Sequence, residues 1–408
     1  MTVHPNVRTA LKRISLSPRR VAQLGIVIGV LACWLALPPL RSRLLLWPIV
    51  AGILAVACGI WAVSRAERRV GWGAVTAGVA GVVGGILATR SSVGHLDSVF
   101  AWGALLAATL RFATPLTFAA LGGLFSERSG VINIALEGMM LSGAFFGIWG
   151  ADVTGSWVLG LVIAMVAGAA FGLVHAVFSI HVRTDQVVGG TAINFLALGI
   201  TGYLFVKIYG TQGTPPGVSQ IPDVHLGWLG SIPPRTLGGF LEQSIGRLNL
   251  MIWLSFALLV LTYVVVFRTP AGLRLRAVGE HPQAAEAVGV SVYAVRYAGV
   301  ILSGVLASLG GAYLSIGFVH TFNQNMTEGQ GFIGLAALIF GKWRPFGAFG
   351  AAVLFGFSSA LAFELPVYSA SGAVLFQALP YVLTLVAVVG LIGRSVPPAA
   401  VGKPYIKQ

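Results

Sequence analysis

Among the 12 acidic residues of this 408-residue chain, Glu137 stands out because it lies inside an otherwise apolar run, 131–150. A carboxyl group there is costly to bury. It marks either a functional site or a side chain hydrogen-bonded to a neighbouring helix. The amides Asn133 and Asn194 are also set in apolar runs, where they can hold a polar solute or stitch helices together. Asn323, Gln324, Asn325 and Glu328 cluster just ahead of the apolar stretch 329–341, in which Phe332 offers an aromatic face for stacking or packing. None of these groups is spaced for covalent chemistry. No G-x-x-x-x-G-K-[ST] phosphate loop occurs: Gly341-Lys342 is followed by Trp343, and Gly402-Lys403 by Pro404. A G-x-S-x-G nucleophile elbow and an H-E-x-x-H zinc helix are likewise absent. The seven histidines are scattered, with His175 and His181 flanking a helix end without further ligands nearby, and Cys33 and Cys58 fall inside apolar runs. The chemistry expected is therefore reversible binding of a solute, with no catalytic residue, metal or cofactor carried by this chain.

The elements that must position these groups follow from composition. Hydrophobic residues make up 56% of the chain and charged residues 9%, against roughly 25% charged in soluble domains. One soluble core could not hide that much apolar surface, whereas a bilayer accepts runs of about 20 apolar residues as spanning helices. Twelve such segments are expected, near 22–40, 44–63, 73–89, 99–124, 131–150, 155–178, 186–209, 249–267, 293–318, 329–341, 346–363 and 373–392. The tenth is too short to cross a bilayer at the helical rise and is open to a re-entrant or broken-helix reading. The fold class expected is an all-α polytopic membrane protein. Five positive residues precede the first apolar run, but no small-residue cleavage site follows it, so it reads as a retained helix.

Alternating the sides of successive segments places most Lys and Arg on the side of the N-terminus. Only Arg41, Arg43, Arg90, Lys207, Arg235 and Arg247 fall on the other, a bias of about three to one that puts both termini in the cytoplasm. The net charge of +14 is thereby a topology signal, and nucleic-acid binding is excluded. The organisation expected has three parts. Residues 1–95 hold a cytoplasmic N-terminus and three peripheral spans. A core, 96–394, contains an outer loop at 210–248 and a cytoplasmic loop at 268–292, and residues 395–408 form a cytoplasmic tail. Small-xxx-small pairs such as Gly25/Gly29, Gly81/Gly85, Gly143/Gly147 and Gly168/Gly172 read as close helix packing.

Three stretches carry a resemblance. Within 268–292, Gln283-Ala284-Ala285-Glu286-Ala287-Val288-Gly289 resembles the Glu-Ala-Ala-x-x-x-Gly element with which importer permeases dock on an ATPase, with Gln in place of the first Glu. Small residues on one face suit a groove, Pro282 fits a first helical turn, and Gly289 lets the chain leave it. Residues 124–145 (LFSERSGVINIALEGMMLSGAF) and 329–347 (GQGFIGLAALIFGKWRPFG) resemble the two signatures of permeases in the branched-chain amino acid/ribose/nucleoside superfamily of ABC importers. They are most similar to the nucleoside-type members that work with basic-membrane-protein-like lipoprotein receptors.

The resemblance implies a permease subunit in the plasma membrane of a prokaryote. Its partners would be an ATP-binding cassette ATPase that carries ATP and Mg, a second related permease in a heterodimer, and an extracytoplasmic lipoprotein receptor. Asn133, Glu137, Asn194, Phe332, Asn323 and Glu328 then become candidates for a nucleoside pathway: amides for a base edge or ribose hydroxyl, Phe332 for stacking, the 323–328 group for solute leaving the receptor. Glu280, Pro282, Ala284, Ala285, Glu286 and Gly289 become the ATPase-coupling set. Import of a simple sugar or branched-chain amino acid by the same machinery is the alternative. An ion-coupled carrier fits less well, because only Glu137 supplies a mid-membrane acid.

Overall fold

A computed structural model of the chain describes residues 17–36, 46–90, 102–210, 213–233, 235–364 and 395–407. They divide into two compact units, one ending at Trp102 and the other comprising most of the remainder. The first contains helices α1 (Pro18–Ala36), α2 (Leu46–Ser64) and α3 (Arg68–Arg90), packed on one another through alanine and glycine. A Cβ added at Gly29 would come within 2.6 Å of the Ala77 carbonyl carbon, so the α1–α3 backbones touch where the sequence spacing predicts.

The second unit holds α4 (Trp102–Arg128), α5 (Leu136–Thr154), α6 (Trp157–Ala176, prolonged by a π-helical turn at Val177–Val182) and α7 (Gln186–Tyr209). After a folded insertion come α9 (Leu250–Arg268), α10 (Pro270–Glu280), α11 (Pro282–Ala287) and α12 (Val292–Ala312, prolonged by a π-helical turn at Tyr313–Phe318). Helices α13 (Gln330–Phe340) and α14 (Pro345–Glu364) are the last among the described residues. The insertion contains α8 (Arg235–Ile245) and a two-stranded antiparallel ribbon, β1 (Asp223–His225) with β2 (Arg247–Asn249), paired Asp223 to Asn249. What the sequence presents as a loop is thus a small folded element. Asn249 ties it to the bundle: its Oδ1 caps α9 by accepting from Met251 N, and its Nδ2 donates to the Ile221 and Gly317 carbonyls.

Among the described residues, seven helices are long and apolar enough to cross a membrane: α2, α4, α6 with its extension, α7, α9, α12 with its extension, and α14 up to Phe363. Helices also occupy the expected first, third, fifth and tenth segments, whereas 373–392 lies outside the described residues. Burial separates two classes. Helices α4, α5 and α12 are enclosed, and their neighbours approach closely: a Cβ at Gly143 or Gly168 would collide with the α12 backbone at Ser308 or Gly304. Helices α6, α7 and α9 instead expose Val166, Val188, Phe195 and Val260. Apolar residues on outward faces of long helices are what a hydrocarbon solvent permits. Helix α5 carries Glu137 and Asp152 and is rich in glycine, which its enclosure by protein allows.

Candidate functional site

The fifth segment is not one continuous helix. α4 ends at Arg128, Gly130 adopts φ +96°, and regular helix resumes only at Leu136. Serine and glycine end the first helix, and the β-branched Val131, Ile132 and Ile134 favour the extended backbone that follows. Such backbone, buried within the protein, needs hydrogen-bond partners close by. Side chains supply them. Ser126 Oγ donates to the Val131 carbonyl at 2.8 Å, and Gln186 Oε1 accepts from Ile132 N at 2.7 Å. His175 Nε2 donates to the Ile132 carbonyl at 2.9 Å. Asn194 bridges the restart of the helix, Nδ2 donating to the Ile134 carbonyl at 3.0 Å and Oδ1 accepting from Gly138 N at 2.8 Å. Asn133, fully buried, donates to Ser303 Oγ on α12 at 2.8 Å, while its Oδ1 has no partner among the described residues.

Glu137 accordingly sits in the first turn of α5 and not seven residues inside it, as an unbroken helix would have it. The residue is 8% exposed, and its carboxylate reaches the start of α13. Oε1 accepts from Thr327 Oγ1 at 2.6 Å and from Gly329 N at 2.8 Å, and Oε2 accepts from Gly331 N at 2.6 Å. The two backbone N–H groups are donors that a helix N-terminus leaves free, at the positive end of its dipole. Gly331 is required for this approach, since a Cβ there would lie 2.5 Å from the Glu137 backbone.

The other end of α13 is held by the residues just before the break. The turn after Phe340 places Trp343 at φ +52° in a buried position. Its indole Nε1 donates to the buried Glu127 carboxylate at 2.5 Å, and its carbonyl accepts from Arg128 Nη2 at 2.7 Å. The 124–145 stretch therefore clamps α13 at both ends, a carboxylate at the N-terminus and a guanidinium at the C-terminal turn, each matched to the dipole. At eleven residues, or about 16 Å, α13 covers roughly half a bilayer core.

The six pathway candidates divide accordingly. Asn133, Glu137 and Asn194 converge on the break, with their bonds directed largely into the protein. Asn323 and Glu328 are exposed on the turn that feeds α13, and Phe332 is 45% exposed on α13 itself. Arg111 does not approach Glu137; with Glu242, Gln243 and Arg247 it lines a cavity of about 460 Å³ beside α8 and β2. Sequence reasoning missed Thr327, Gln186, Ser303 and Trp343. The one signal for Thr327 was its place two residues before Gly329, ahead of an apolar run.

In the 268–292 loop, Thr269 caps α10 by accepting from Gly272 N at 3.2 Å, and Pro282 opens α11. Gly289, at φ +86°, lets the chain turn out, and Val290 N closes the turn on the Ala285 carbonyl at 3.0 Å. Ala285 packs inward, while Ala284, Ala287, Val288 and Gly289 are exposed as a face of small residues. Glu280 and Glu286 have partners within the chain: Glu280 accepts from Ala399 N at 3.1 Å and lies 4.0 Å from Arg128, and Glu286 accepts from the Tyr405 hydroxyl.

Residues 105–388 match the family described as branched-chain amino acid transport system / permease component. The chain is 43% identical to the guanosine ABC transporter permease protein NupQ of Bacillus subtilis, over 76% of this chain and 99% of that protein. It is 38% identical to the nucleoside ABC transporter permease protein NupC of Lactococcus lactis, over 74% and 97% respectively. A Haloferax volcanii permease, TsgC13, provisionally named for glucose ABC transport, is 34% identical over 63% of this chain and 76% of its own length. No solved structure matches the chain.

Proposed function

Because the chain belongs to this family of ABC transporter permeases, we propose that it is the membrane-spanning subunit of an ATP-driven importer of nucleosides. The observation that carries this reading is its similarity to the guanosine permease along 99% of that protein's length. The permease itself performs no covalent step. Its contribution is two conformations whose relative stability changes when partners bind.

In this reading the chain crosses the membrane with about twelve segments, one of them the half-length α13, and both termini lie in the cytoplasm. The charge bias supports that orientation. An ATP-binding cassette ATPase, carrying ATP and Mg, docks on the small-residue face of α11. Its closure moves α10–α11 and reorients the clamped α13. A lipoprotein receptor delivers solute at the opposite face, and a second, related permease completes the pathway; the family resemblance supports both. Solute meets Phe332, Asn323 and Glu328, the candidates with exposed side chains. Asn133, Asn194 and Glu137 keep the broken helix and α13 in register, and Asn133 Oδ1, without a partner among the described residues, is an acceptor that a solute donor would use if the helix opened there.

The relation to TsgC13 favours glucose or another simple sugar as the second reading. Competition against labelled guanosine uptake separates the two. Unlabelled nucleosides should suppress the signal in cells expressing the complete transporter, and sugars and branched-chain amino acids should not. Suppression by glucose alone would transfer the assignment to sugars.

A further inference from the structure

Residues 395–407 have little regular structure, yet they bond to α10, α11, α12, α13 and the Gly130 turn. Ser395 Oγ donates to the Ile339 carbonyl in the last turn of α13 at 2.9 Å. Ala400 N donates to the Gly279 carbonyl at 2.9 Å, and Ala399 N to Glu280 Oε2. Gly402 N donates to the Gly130 carbonyl at 3.2 Å, at the turn that opens the broken helix. Tyr405 donates to Glu286 on α11, with Lys407 3.9 Å from the same carboxylate. Arg296, from α12, is 1% exposed; its Nη1 donates to the Lys403 carbonyl at 3.1 Å and its guanidinium lies 5.8 Å from the centre of the Tyr405 ring. Nη2 sits against Gly130, where any Cβ would lie 2.9 Å away. Beside these contacts a cavity of about 580 Å³ opens between the α10–α11 junction and the segment, lined by Pro282, Gln283, Arg296, Pro404 and Tyr405. At that junction the loop also packs on the bundle: Val278 and Ala285 are buried with Val292 and Tyr405, and a Cβ at Gly279 would meet the Arg128 carbonyl, so the segment adds hydrogen bonds to a packed contact.

We propose that residues 395–407 are a coupling strap, through which movement of α10–α11 reaches the Gly130 turn and both ends of α13. Arg296 and Tyr405 are its positioning residues. The proposal rests on the reading of α11 as the ATPase-docking element. A pull on α11 passes through Glu286 and Tyr405 to the strap. Gly402 passes it to the Gly130 turn, which leads to Glu137 and the N-terminus of α13, while Ser395 carries it to the C-terminus. Arg296 keeps Lys403 and Tyr405 seated during the movement.

The test uses the complete transporter reconstituted in vesicles, with Tyr405→Phe and Arg296→Lys. Both conserve bulk, and ATPase hydrolysis and labelled guanosine import are measured in the same vesicles. The strap predicts that the variants copurify with the ATPase, but that guanosine imported per ATP hydrolysed falls at least about fivefold, the low end of an ordinary coupling energy. Hydrogen exchange gives a second readout. Trapping the ATPase in its nucleotide-bound state should change protection of the 129–137 peptide in the wild type and leave it unchanged in Tyr405→Phe. Wild-type import per ATP in both variants, or the same exchange response in Tyr405→Phe, overturns the strap. Ala284→Trp, on the docking face away from the strap, separates the two ideas. If it uncouples and the strap variants do not, only the strap fails; if it too leaves coupling intact, the docking reading fails.

Discussion

Replacing Glu137 by glutamine perturbs the N-terminal clamp of α13 with little change of shape. The amide keeps one oxygen, which can still accept from Thr327 Oγ1 and Gly329 N. It turns an NH2 group toward Gly331 N–H, so two donors face each other where the carboxylate accepted a 2.6 Å bond. Losing one hydrogen bond to a charged group costs about 1.5–3 kcal/mol. Removing negative charge from the helix N-terminus adds up to about 2 kcal/mol in a partly buried site. The terms overlap, and about 3 kcal/mol in total would weaken docking of α13 by on the order of 100-fold. The assay pairs the apparent Tm of the purified complex with labelled guanosine uptake. Glu137→Gln should lower Tm by several degrees and depress the maximal rate, with Glu137→Asp, too short to span the gap, behaving alike. Wild-type Tm and wild-type uptake together would refute the clamp. A raised KM at unchanged Tm would assign the carboxylate to the solute instead.

The remaining predictions concern the other end of the clamp, the break and the docking face. Trp343→Phe keeps the ring but strips Glu127 of its indole partner, and should destabilise the complex by about 1–3 kcal/mol, read as a lower Tm. Asn194→Ala removes two bonds from the irregular backbone; a loss of about 2–4 kcal/mol should lower both folded yield and uptake, whereas Asn194→Gln should not restore them because the longer side chain overshoots both partners. Ala284→Trp on the exposed face of α11 should reduce copurification of the ATPase and its stimulation by loaded receptor; full recovery of both argues against docking there. A cysteine replacing Gln220, exposed ahead of β1, should react with an impermeant maleimide added outside intact cells, and labelling only from the cytoplasmic side would reverse the orientation.

Much of the scaffold was legible because hydrophobicity is a local property. Apolar runs mark the helices, and the short tenth segment is short in the structure too. The boundaries of α11 were legible as well: Pro282 opens it and Gly289 leaves it, both by backbone rules that act within a few residues. The break at 129–135 was not. Val131-Ile-Asn-Ile-Ala135 is as apolar as a helix interior, and only the preceding Ser129-Gly130 and the β-branched residues signalled extended backbone. The role of Glu137 was beyond sequence, since its partners at Thr327, Gly329 and Gly331 come from nearly 200 positions away. Sequence alone left the carboxylate balanced between a solute site and a structural bond. The structure supplies three hydrogen bonds and joins the two signature stretches as halves of one clamp. The α8–β2 element escaped notice because its glycines and paired prolines read as loop, while its order comes from tertiary contacts such as Asn249 with Gly317.

The central claim, that this chain is the permease of an ATP-driven nucleoside importer, is tested most directly by transport in a defined system. The chain would be reconstituted with its ATPase, second permease and receptor in proteoliposomes, and accumulation of labelled guanosine followed with ATP on the ATPase side. The account predicts concentrative uptake that requires ATP, and that stops when this chain is left out or when the ATPase is inactive. Accumulation driven by an ion gradient without ATP, or ATP-dependent uptake of glucose with none of guanosine, would contradict it.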